Sequence, residues 1–204
     1  MGLGGRRGAG GDSADMVRRF REERRKSVSV LEGRGDLARK VWGSGAKLEL
    51  DGVMLRQALQ AAAGALQTRI NDRHITVRIE VDEGLAGLAE ELSLTYCVFG
   101  NILSNAIKFS SEGGLVDVFA ETGEHTHKIV FRDYGEGMSE SLIKKQLDPA
   151  RKYALKPAGG EYGIGFGLIQ AKKFVDAYGG SFSIRSWSSG KEKGTEVTVE
   201  LDIC

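Results

Sequence analysis

The sequence predicts a mixed α/β fold, because segments with a helical repeat alternate with segments typical of β-strands. Apolar residues recur about every 3.6 positions over 51–70, and again after the glycines that end at Gly167. Paired runs of alternating apolar and polar residues over 115–133 and 181–203 each predict a β-hairpin. The elements therefore belong to the α/β class.

The composition favours a globular protein that works in a reducing compartment. The chain has 204 residues, of which 41% are hydrophobic and 28% charged, and its 29 Lys and Arg nearly balance its 28 Asp and Glu. This balance gives no reason to expect a nucleic-acid partner. No apolar run approaches the roughly 20 residues of a membrane span, and Cys97 and Cys204 lack metal or redox spacing. We expect a cytoplasmic chain with no membrane-embedded part.

The first 45 residues differ in composition from the rest. Residues 1–12 are glycine-rich and have too little apolar surface to become ordered, so they are predicted to be a disordered tail. Residues 13–45 are predicted to form a basic amphipathic helical segment whose apolar side packs against a partner. A solvated surface helix and a nucleic-acid-binding arm are the alternatives, although the aromatic interleaving that base stacking needs is missing.

The first elements of the globular part are a helix and a strand. The periodic segment from Asp51 to Ile70 predicts a helix, and Asp51 can cap its start. The segment from His74 to Val81 alternates apolar and polar residues, many of them β-branched, which indicates a half-buried strand.

The segment 90–110 predicts a helix whose polar face suits a phosphate with its metal. Asn101, Asn105 and Lys108 stand at i, i+4 and i+7, so they share one side of the helix. Amide oxygens can ligate a hard cation, and a lysine can meet phosphate oxygens. The alternative is an amphipathic surface helix whose polar face simply meets water.

The two hairpins and the turn between them follow. The loop of the first hairpin contains His125 and His127, but no carboxylate or cysteine cluster stands beside them to favour a metal site. After this hairpin, Asp133 begins an Asp-x-Gly-x-Gly turn with Gly135 and Gly137. Such glycines let the backbone approach a flat ligand, while the carboxylate can accept a hydrogen bond. An ordinary turn is the alternative.

A short helix, a basic loop and a glycine-rich turn complete the middle of the chain. The helix is predicted over 139–147. The segment 150–162 has no clear period and contains Arg and Lys, so it is predicted to be a mobile loop with positively charged side chains. Gly163, Gly165 and Gly167 then lead directly into a helix, where free backbone N–H groups and the helix dipole favour an anion such as phosphate. The spacing is neither that of a dinucleotide-binding fingerprint nor that of a P-loop.

Taken in order, these motifs resemble the catalytic and ATP-binding domain of sensor histidine kinases. They are Asn-x-x-x-Asn-x-x-Lys-Phe on a helix, Asp-x-Gly-x-Gly after a strand, a loose basic segment, a Gly-x-Gly-x-Gly helix start and a Gly-Thr in the last hairpin. The domain belongs to the Bergerat-fold ATPases, as do gyrase, a heat-shock chaperone and the mismatch-repair ATPases. The resemblance covers 46–204 and implies a two-layer α/β sandwich with a mixed, mostly antiparallel sheet covered by helices. Residues 13–45 would be a helical stub, the end of a dimerisation helix with its linker.

The resemblance also implies a site for ATP and Mg²⁺. Asn105 would be the amide ligand of Mg²⁺ with Asn101 beside the same metal, Lys108 would reach a phosphate, and these three would be the catalytic residues. Asp133 would accept the adenine amino group. Residues 148–162 would form a lid with Arg151, Lys152 and Lys156 as its cations. The full set expected to bind the nucleotide is Asn101, Asn105, Lys108, Phe109, Asp133, Gly135, Gly137, Met138, Arg151, Lys152, Gly163, Ile164, Gly165, Phe166, Gly167, Leu168 and Thr195.

The implied function is protein histidine kinase activity by positioning and charge neutralisation. Its expected partners are a dimerisation and histidine-phosphotransfer domain, in the same full-length protein or another, together with a response regulator and a second copy of the chain. Two departures stand out: Leu147-Asp148-Pro149-Ala150 replaces a common Phe-Glu-Pro-Phe pattern, and 13–45 contain no histidine. The acceptor histidine is therefore expected outside this chain. The alternatives are a nucleotide-sensing regulator or degenerate kinase that acts by protein contacts, and an anti-sigma-factor-type serine kinase.

Overall fold

The computed structural model describes residues 48–148, 166–189 and 192–204. The tail predicted over 1–12, the basic helical segment over 13–45 and the loop over 150–162 lie outside these residues. The strands are β1 (Asp51–Met54), β2 (Thr76–Glu80), β3 (Ala86–Ala89), β4 (Leu115–Thr122), β5 (Thr126–Asp133), β6 (Ser181–Trp187) and β7 (Gly194–Asp202). The helices are α1 (Leu55–Ala65), α2 (Gln67–Asp72), α3 (Gly100–Phe109), α4 (Glu140–Leu147) and α5 (Phe166–Ala177).

The main sheet has five strands in the order β2-β4-β5-β7-β6. Strand β2 runs parallel to β4, and the other neighbours are antiparallel. Strands β4 and β5 form the first predicted hairpin and β6 and β7 form the second. The mixed, mostly antiparallel sheet predicted for this chain is thereby confirmed.

Helices cover one face of this sheet, which gives the predicted two-layer arrangement. Alternate strand residues that point to the helices are almost fully buried, among them Val118, Phe131 and Val199. The Phe131 ring lies 5.5 Å, centroid to centroid, from the ring of Phe99, which comes from the helical layer. Cys97 is buried in the same core, as expected for a thiol in an apolar run.

The opposite face of the sheet carries charged side chains. The strand register places Arg78, Asp117, Arg132, Glu196 and Arg185 in one row across all five strands, with alternating sign. The Nε of Arg78 lies 2.7 Å from a carboxylate oxygen of Asp117, and an Nη of Arg185 lies 2.8 Å from a carboxylate oxygen of Glu196. Opposite charges directly across neighbouring strands stabilise the pairing, so this face needs no apolar cover.

The predicted helix from Asp51 is wrong at its start. Residues from Asp51 to Met54 form a strand, in which Val53 stands opposite Gly87 of β3. The helix begins only at Leu55, and no side chain caps it. The sequence predicts a helix here because the apolar residues of this short strand also fit a helical repeat. Strand β3, four residues of Ala, Gly and Leu, has no β-branched residue that would have predicted the pairing.

The helix that precedes α3 is wound more widely than an α-helix. Ser93–Phe99 forms π-helical turns that continue directly into α3, so the predicted helix over 90–110 is present but not uniform. The Glu90 carboxylate accepts hydrogen bonds from the backbone N–H of Leu92 at 3.1 Å and of Ser93 at 2.8 Å. The Ser93 Oγ lies 2.6 Å from the buried hydroxyl of Tyr178, which follows α5. These bonds tie the start of the helix to the end of α5.

His127 is a buried histidine in the first residues of β5, with 3% of its surface exposed. Its Nδ1 lies 3.1 Å from the Oγ1 of Thr122. Burial lowers the pKa of the His127 imidazole, because the charged ring loses hydration.

Acid should therefore destabilise the fold through His127. A ring whose pKa is lower in the folded than in the unfolded state contributes stability above the unfolded pKa of about 6.5, and this contribution is lost as the pH falls. Replacing His127 with asparagine should make the urea midpoint less dependent on pH between about 7.5 and 5.5. The control is His125→Asn, whose side chain is 85% exposed. Equal pH dependence of the His127 variant and the wild type would contradict the prediction.

Candidate functional site

The predicted polar face of α3 is present. Ile102, Leu103 and Ile107 are buried in the core, whereas Asn101 and Asn105 are half-buried and Lys108 is exposed. The three polar residues therefore lie at the boundary between the helical layer and solvent. The Nζ of Lys108 lies 5.7 Å from the ring centroid of its neighbour Phe109, which is 43% exposed.

The first turn of α5 packs against this polar face. A Cβ added to Gly167 would lie 3.3 Å from the Cβ of Asn101 and 3.4 Å from the Nδ2 of Asn105. The Nδ2 of Asn101 donates hydrogen bonds to the carbonyl oxygen of Cys97 at 2.6 Å and to the Oε1 of Gln170 at 3.1 Å. Within the described residues the amide of Asn105 makes no hydrogen bond. The structure thus brings together the two asparagines and Gly167.

Asp133 ends β5 and is buried, with 6% of its surface exposed. One carboxylate oxygen, Oδ1, accepts hydrogen bonds from the backbone N–H groups of Gly135 at 3.0 Å and Thr195 at 3.1 Å. No hydrogen bond within the described residues involves the other oxygen. Burial raises the pKa of Asp133, and the two backbone hydrogen bonds act in the opposite direction. The carboxylate is thus held in a fixed orientation with one acceptor oxygen to offer.

The glycines after Asp133 allow a turn in which two backbone segments come very close. A Cβ on Gly135 would lie 2.1 Å from the carbonyl oxygen of Phe109, at the end of α3. Gly137 has φ +73°, and a Cβ there would lie 2.1 Å from the carbonyl oxygen of Trp187. No side chain fits at either place, so the Asp-x-Gly-x-Gly motif connects α3, β5 and β6 by direct backbone packing.

Ser186 joins this turn to the last hairpin and was not among the predicted site residues. Its Oγ accepts a hydrogen bond from the backbone N–H of Met138 at 2.7 Å and donates one to the carbonyl oxygen of Gly194 at 2.9 Å. It also lies 2.9 Å from the Oγ1 of Thr195. Only the pairing of β6 with β7 places Ser186 beside Thr195, and no local motif marks it. Gln170 was also missed, because only the packing of α5 on α3 brings its Oε1 to the Nδ2 of Asn101.

The remaining predicted nucleotide-binding residues divide into two sets. Leu168 lies in the core with 5% of its surface exposed, so its side chain packs inside the helical layer. Phe166 begins α5. Gly163, Ile164, Gly165, Arg151 and Lys152 lie outside the described residues. Leu147, which replaces the first phenylalanine of the common pattern, packs against the core at the end of α4.

The donors of the site suit a hard cation held by amides rather than by a carboxylate or histidine cluster. Among residues 48–148, 166–189 and 192–204, no group of three or more His, Cys, Asp or Glu is placed to hold a metal ion. Asn101 and Asn105 supply amide oxygens, which Mg²⁺ and Ca²⁺ accept as ligands. The described helices also lack the length and apolar content needed to cross a bilayer.

Comparison with known proteins identifies the family to which this chain belongs. The profile of the family described as histidine kinase-, DNA gyrase B-, and HSP90-like ATPase matches residues 90–203, just over half of the chain. KinB of Pseudomonas aeruginosa, an alginate biosynthesis sensor protein, is 27% identical over 173 residues, which are 85% of this chain and 28% of KinB. The chain spans less than a third of the length of KinB and of the other curated relatives that it matches.

Solved structures share the fold. The catalytic domain of the histidine kinase ThkA aligns with a TM-score of 0.63 and 20% identity over 76% of this chain and 96% of that domain. ThkA in complex with the response regulator TrrA aligns at 0.64 and 18%, over 88% of this chain and 49% of that one. Full-length ShkA in complex with AMPPNP aligns at 0.66 and 19%, over 97% of this chain and 40% of that one. Because the matched profile spans α3, the Asp133 turn and both hairpins, the chain belongs to the histidine kinase-, DNA gyrase B- and HSP90-like ATPase family.

Proposed function

We propose that this chain is the ATP-binding catalytic domain of a two-component sensor histidine kinase, which transfers the γ-phosphate of ATP to a histidine outside the chain. The observation that carries the proposal is the packing along α3. Gly167 of α5 contacts the helix at Asn101 and Asn105, and Gly135 of the Asp133 turn contacts it at Phe109. Helix α3 thus contacts, near its start, the glycine-rich turn that would hold phosphate. At its end it contacts the Asp133 turn, which would hold the purine.

The Asp133 turn supports binding of adenine. A carboxylate oxygen without a protein donor can accept the exocyclic amino group of the base, since that group is a hydrogen-bond donor. The backbone bonds from Gly135 and Thr195 fix the direction of this acceptor. The exposed side chain of Phe109 belongs to the residue whose backbone carbonyl packs on Gly135, and it offers an apolar surface to the base.

The polar face of α3 supports binding of the phosphates and Mg²⁺. Asn105 would hold the metal, since its amide has no hydrogen bond within the described residues, while Asn101 would assist although its Nδ2 is tethered to Cys97 and Gln170. Bound Mg²⁺ would neutralise charge on the phosphate oxygens. Lys108 would add a second positive charge, and the backbone N–H groups at the start of α5 would add the positive end of a helix dipole.

The acceptor and partners follow from the kind of enzyme proposed. The acceptor histidine would lie on a dimerisation domain, in the same full-length protein or another. The phosphate would then pass to a response regulator, and a second copy of the chain would complete a homodimer. Isothermal titration calorimetry with AMPPNP and Mg²⁺ tests binding. Transfer of the labelled γ-phosphate of ATP to a separately supplied dimerisation domain, with release of ADP, tests catalysis. Acid-labile phosphohistidine is the expected product.

A regulator that binds ATP without transferring phosphate is the second candidate. Its support is Leu147, which fills the place of a phenylalanine and packs against the core at the start of the proposed lid. AMPPNP binding without any phosphate transfer would favour the regulator. Absence of AMPPNP binding by the wild-type chain would contradict both proposals.

Replacing Asn105 with alanine should remove the dependence of nucleotide binding on Mg²⁺. We expect the wild-type chain to bind AMPPNP at least about tenfold more tightly with Mg²⁺ than with a chelator, a difference of about 1.4 kcal/mol. The Asn105→Ala variant should show similar affinities in both conditions. Asn71→Ala is the matched control, because the Asn71 side chain is exposed on α2 and, among the described residues, accepts a hydrogen bond only from the side chain of Gln67. If Mg²⁺ still tightened AMPPNP binding by the Asn105 variant as it does for the wild type, Asn105 would not be the metal ligand.

A further inference from the structure

Arg73, the residue that follows α2, directs its guanidinium at the end of α3. One Nη donates to the carbonyl oxygen of Ile107 at 2.9 Å and also to that of Lys108. The other Nη donates to the carbonyl oxygen of Ser110 at 2.7 Å. A single side chain thus contacts three backbone carbonyls around the last turn of α3.

These carbonyls are the ones that an α-helix leaves without partners. The last four carbonyl groups of a helix have no intrahelical donor, and the helix dipole places partial negative charge there. The planar guanidinium presents several N–H donors in a fixed geometry and keeps its positive charge at all ordinary pH values. Arg73 therefore satisfies the carbonyls of Ile107 and Lys108 and neutralises the end of the helix.

The backbone of Arg73 is itself fixed. His74 has φ +52°, and the backbone N–H of Ile75 donates to the carbonyl oxygen of Ile70 at 3.0 Å, which closes α2 in a Schellman-type cap. The carbonyl oxygen of Arg73 accepts a hydrogen bond from the backbone N–H of Gly113 at 3.0 Å. Arg73 is thus held from both sides and can act as a rigid support for α3.

We propose that Arg73 is a positioning residue for nucleotide binding, which acts by holding the peptide groups on both sides of Lys108. The carbonyls that it contacts belong to Ile107 and Lys108 themselves, while the next carbonyl, that of Phe109, packs on Gly135 of the Asp133 turn. The last turn of α3 therefore contacts Arg73 on one side and the Asp133 turn on the other. This inference rests on the proposed ATP site, since it assigns to Lys108 a contact with phosphate.

The test compares Arg73→Met with Arg78→Met. Arg78 lies on the opposite face of the sheet and pairs with Asp117, so its loss removes an arginine without touching α3. Both variants should unfold at lower urea concentration than the wild type. Only Arg73→Met should also weaken AMPPNP binding, by about tenfold, within the range found for groups that share a backbone shift. Should Arg73→Met fail to fold, Arg73→Lys replaces it in the test. Lysine keeps the charge but lacks the several fixed N–H donors of the guanidinium, so we expect the affinity for AMPPNP to fall by about threefold.

A double-mutant cycle with Lys108→Ala tests the route of the effect. If Arg73 acts through Lys108, Arg73→Met should weaken binding by less than about threefold in the Lys108→Ala background. The same tenfold loss in both backgrounds, or equal affinity of folded Arg73→Met and wild type, would overturn the inference and leave the proposed function standing. A wild-type chain that does not bind AMPPNP would overturn the proposed function, and with it this inference.

Discussion

The Asp133→Asn variant should fold normally and lose its affinity for adenine nucleotides. Asparagine can still accept the backbone hydrogen bonds from Gly135 and Thr195 through its one oxygen. The amide nitrogen would then take the place of the open carboxylate oxygen and would oppose the amino group of adenine with a second donor. A mismatch at a buried charged acceptor costs about 3 kcal/mol, so AMPPNP affinity should fall roughly 100-fold in calorimetry.

Asp202→Asn is the matched control for this loss, because Asp202 is exposed at the other end of the sheet. It should bind AMPPNP like the wild type. Binding within about threefold of wild type by folded Asp133→Asn would remove Asp133 from the adenine site.

The stability of the Asp133→Asn variant tests the same residue without any ligand. Because burial raises the pKa of Asp133, its ionised form disfavours the folded state at neutral pH. A raised folded-state pKa stabilises the fold at low pH, and this stabilisation is lost as the pH rises through that pKa. As the pH falls from neutral towards about 4, the free energy of unfolding of the wild type should therefore rise relative to that of the variant.

Gly135→Ala should disrupt both the fold and the site. The new Cβ would lie 2.1 Å from the carbonyl oxygen of Phe109, and both sides of that contact are backbone, which cannot move as a side chain does. Forcing an extra methyl into such a contact costs about 3 kcal/mol, so the urea midpoint should fall steeply and AMPPNP binding should be lost. Circular dichroism during urea titration would measure the first effect, and calorimetry the second.

Gly64→Ala makes the same substitution at a position where the added methyl group should stabilise the fold. Gly64 lies near the end of α1, and a Cβ there would have no neighbour within 4 Å. Alanine in a helix is favoured over glycine by about 0.5 to 1 kcal/mol, so this variant should be more stable than the wild type and bind nucleotide normally. Similar stability of the two variants would show that the contact with Phe109 is not tight.

Local patterns in the sequence were sufficient to predict both hairpins, most helices and the polar face of α3. Each depends on neighbours in the chain: the alternation of β4 and β5, or the i, i+4 and i+7 spacing of Asn101, Asn105 and Lys108. The start of α1 failed because Val53 belongs to a two-stranded sheet whose other strand, β3, lies more than thirty residues away. No local signal distinguishes such a strand from the first turn of a helix.

The contacts that complete the site depend on the tertiary fold. Asp133 meets the backbone of Thr195 because β5 and β7 pair in one particular register. Ser186 reaches both Met138 and Thr195 only because β6 stands at the edge beside β7. Arg73 meets α3 because β2 pairs with β4 and so fixes the end of α2 next to Ser110. Residue types at these positions are ordinary, so spacing along the chain could not mark them.

The π-helical segment before α3 sets the angular phase of the whole site. Each residue of an α-helix turns the chain by about 100°, and a π-turn contains one residue more than an α-turn. Were Ser93–Phe99 wound as an α-helix with the same number of residues, the residue that the wider turns take up would rotate everything after it by about 100° relative to the Glu90 cap. Asn101 and Asn105 would then turn away from Gly167. The wider winding of Ser93–Phe99 is therefore a condition for the two asparagines to face Gly167.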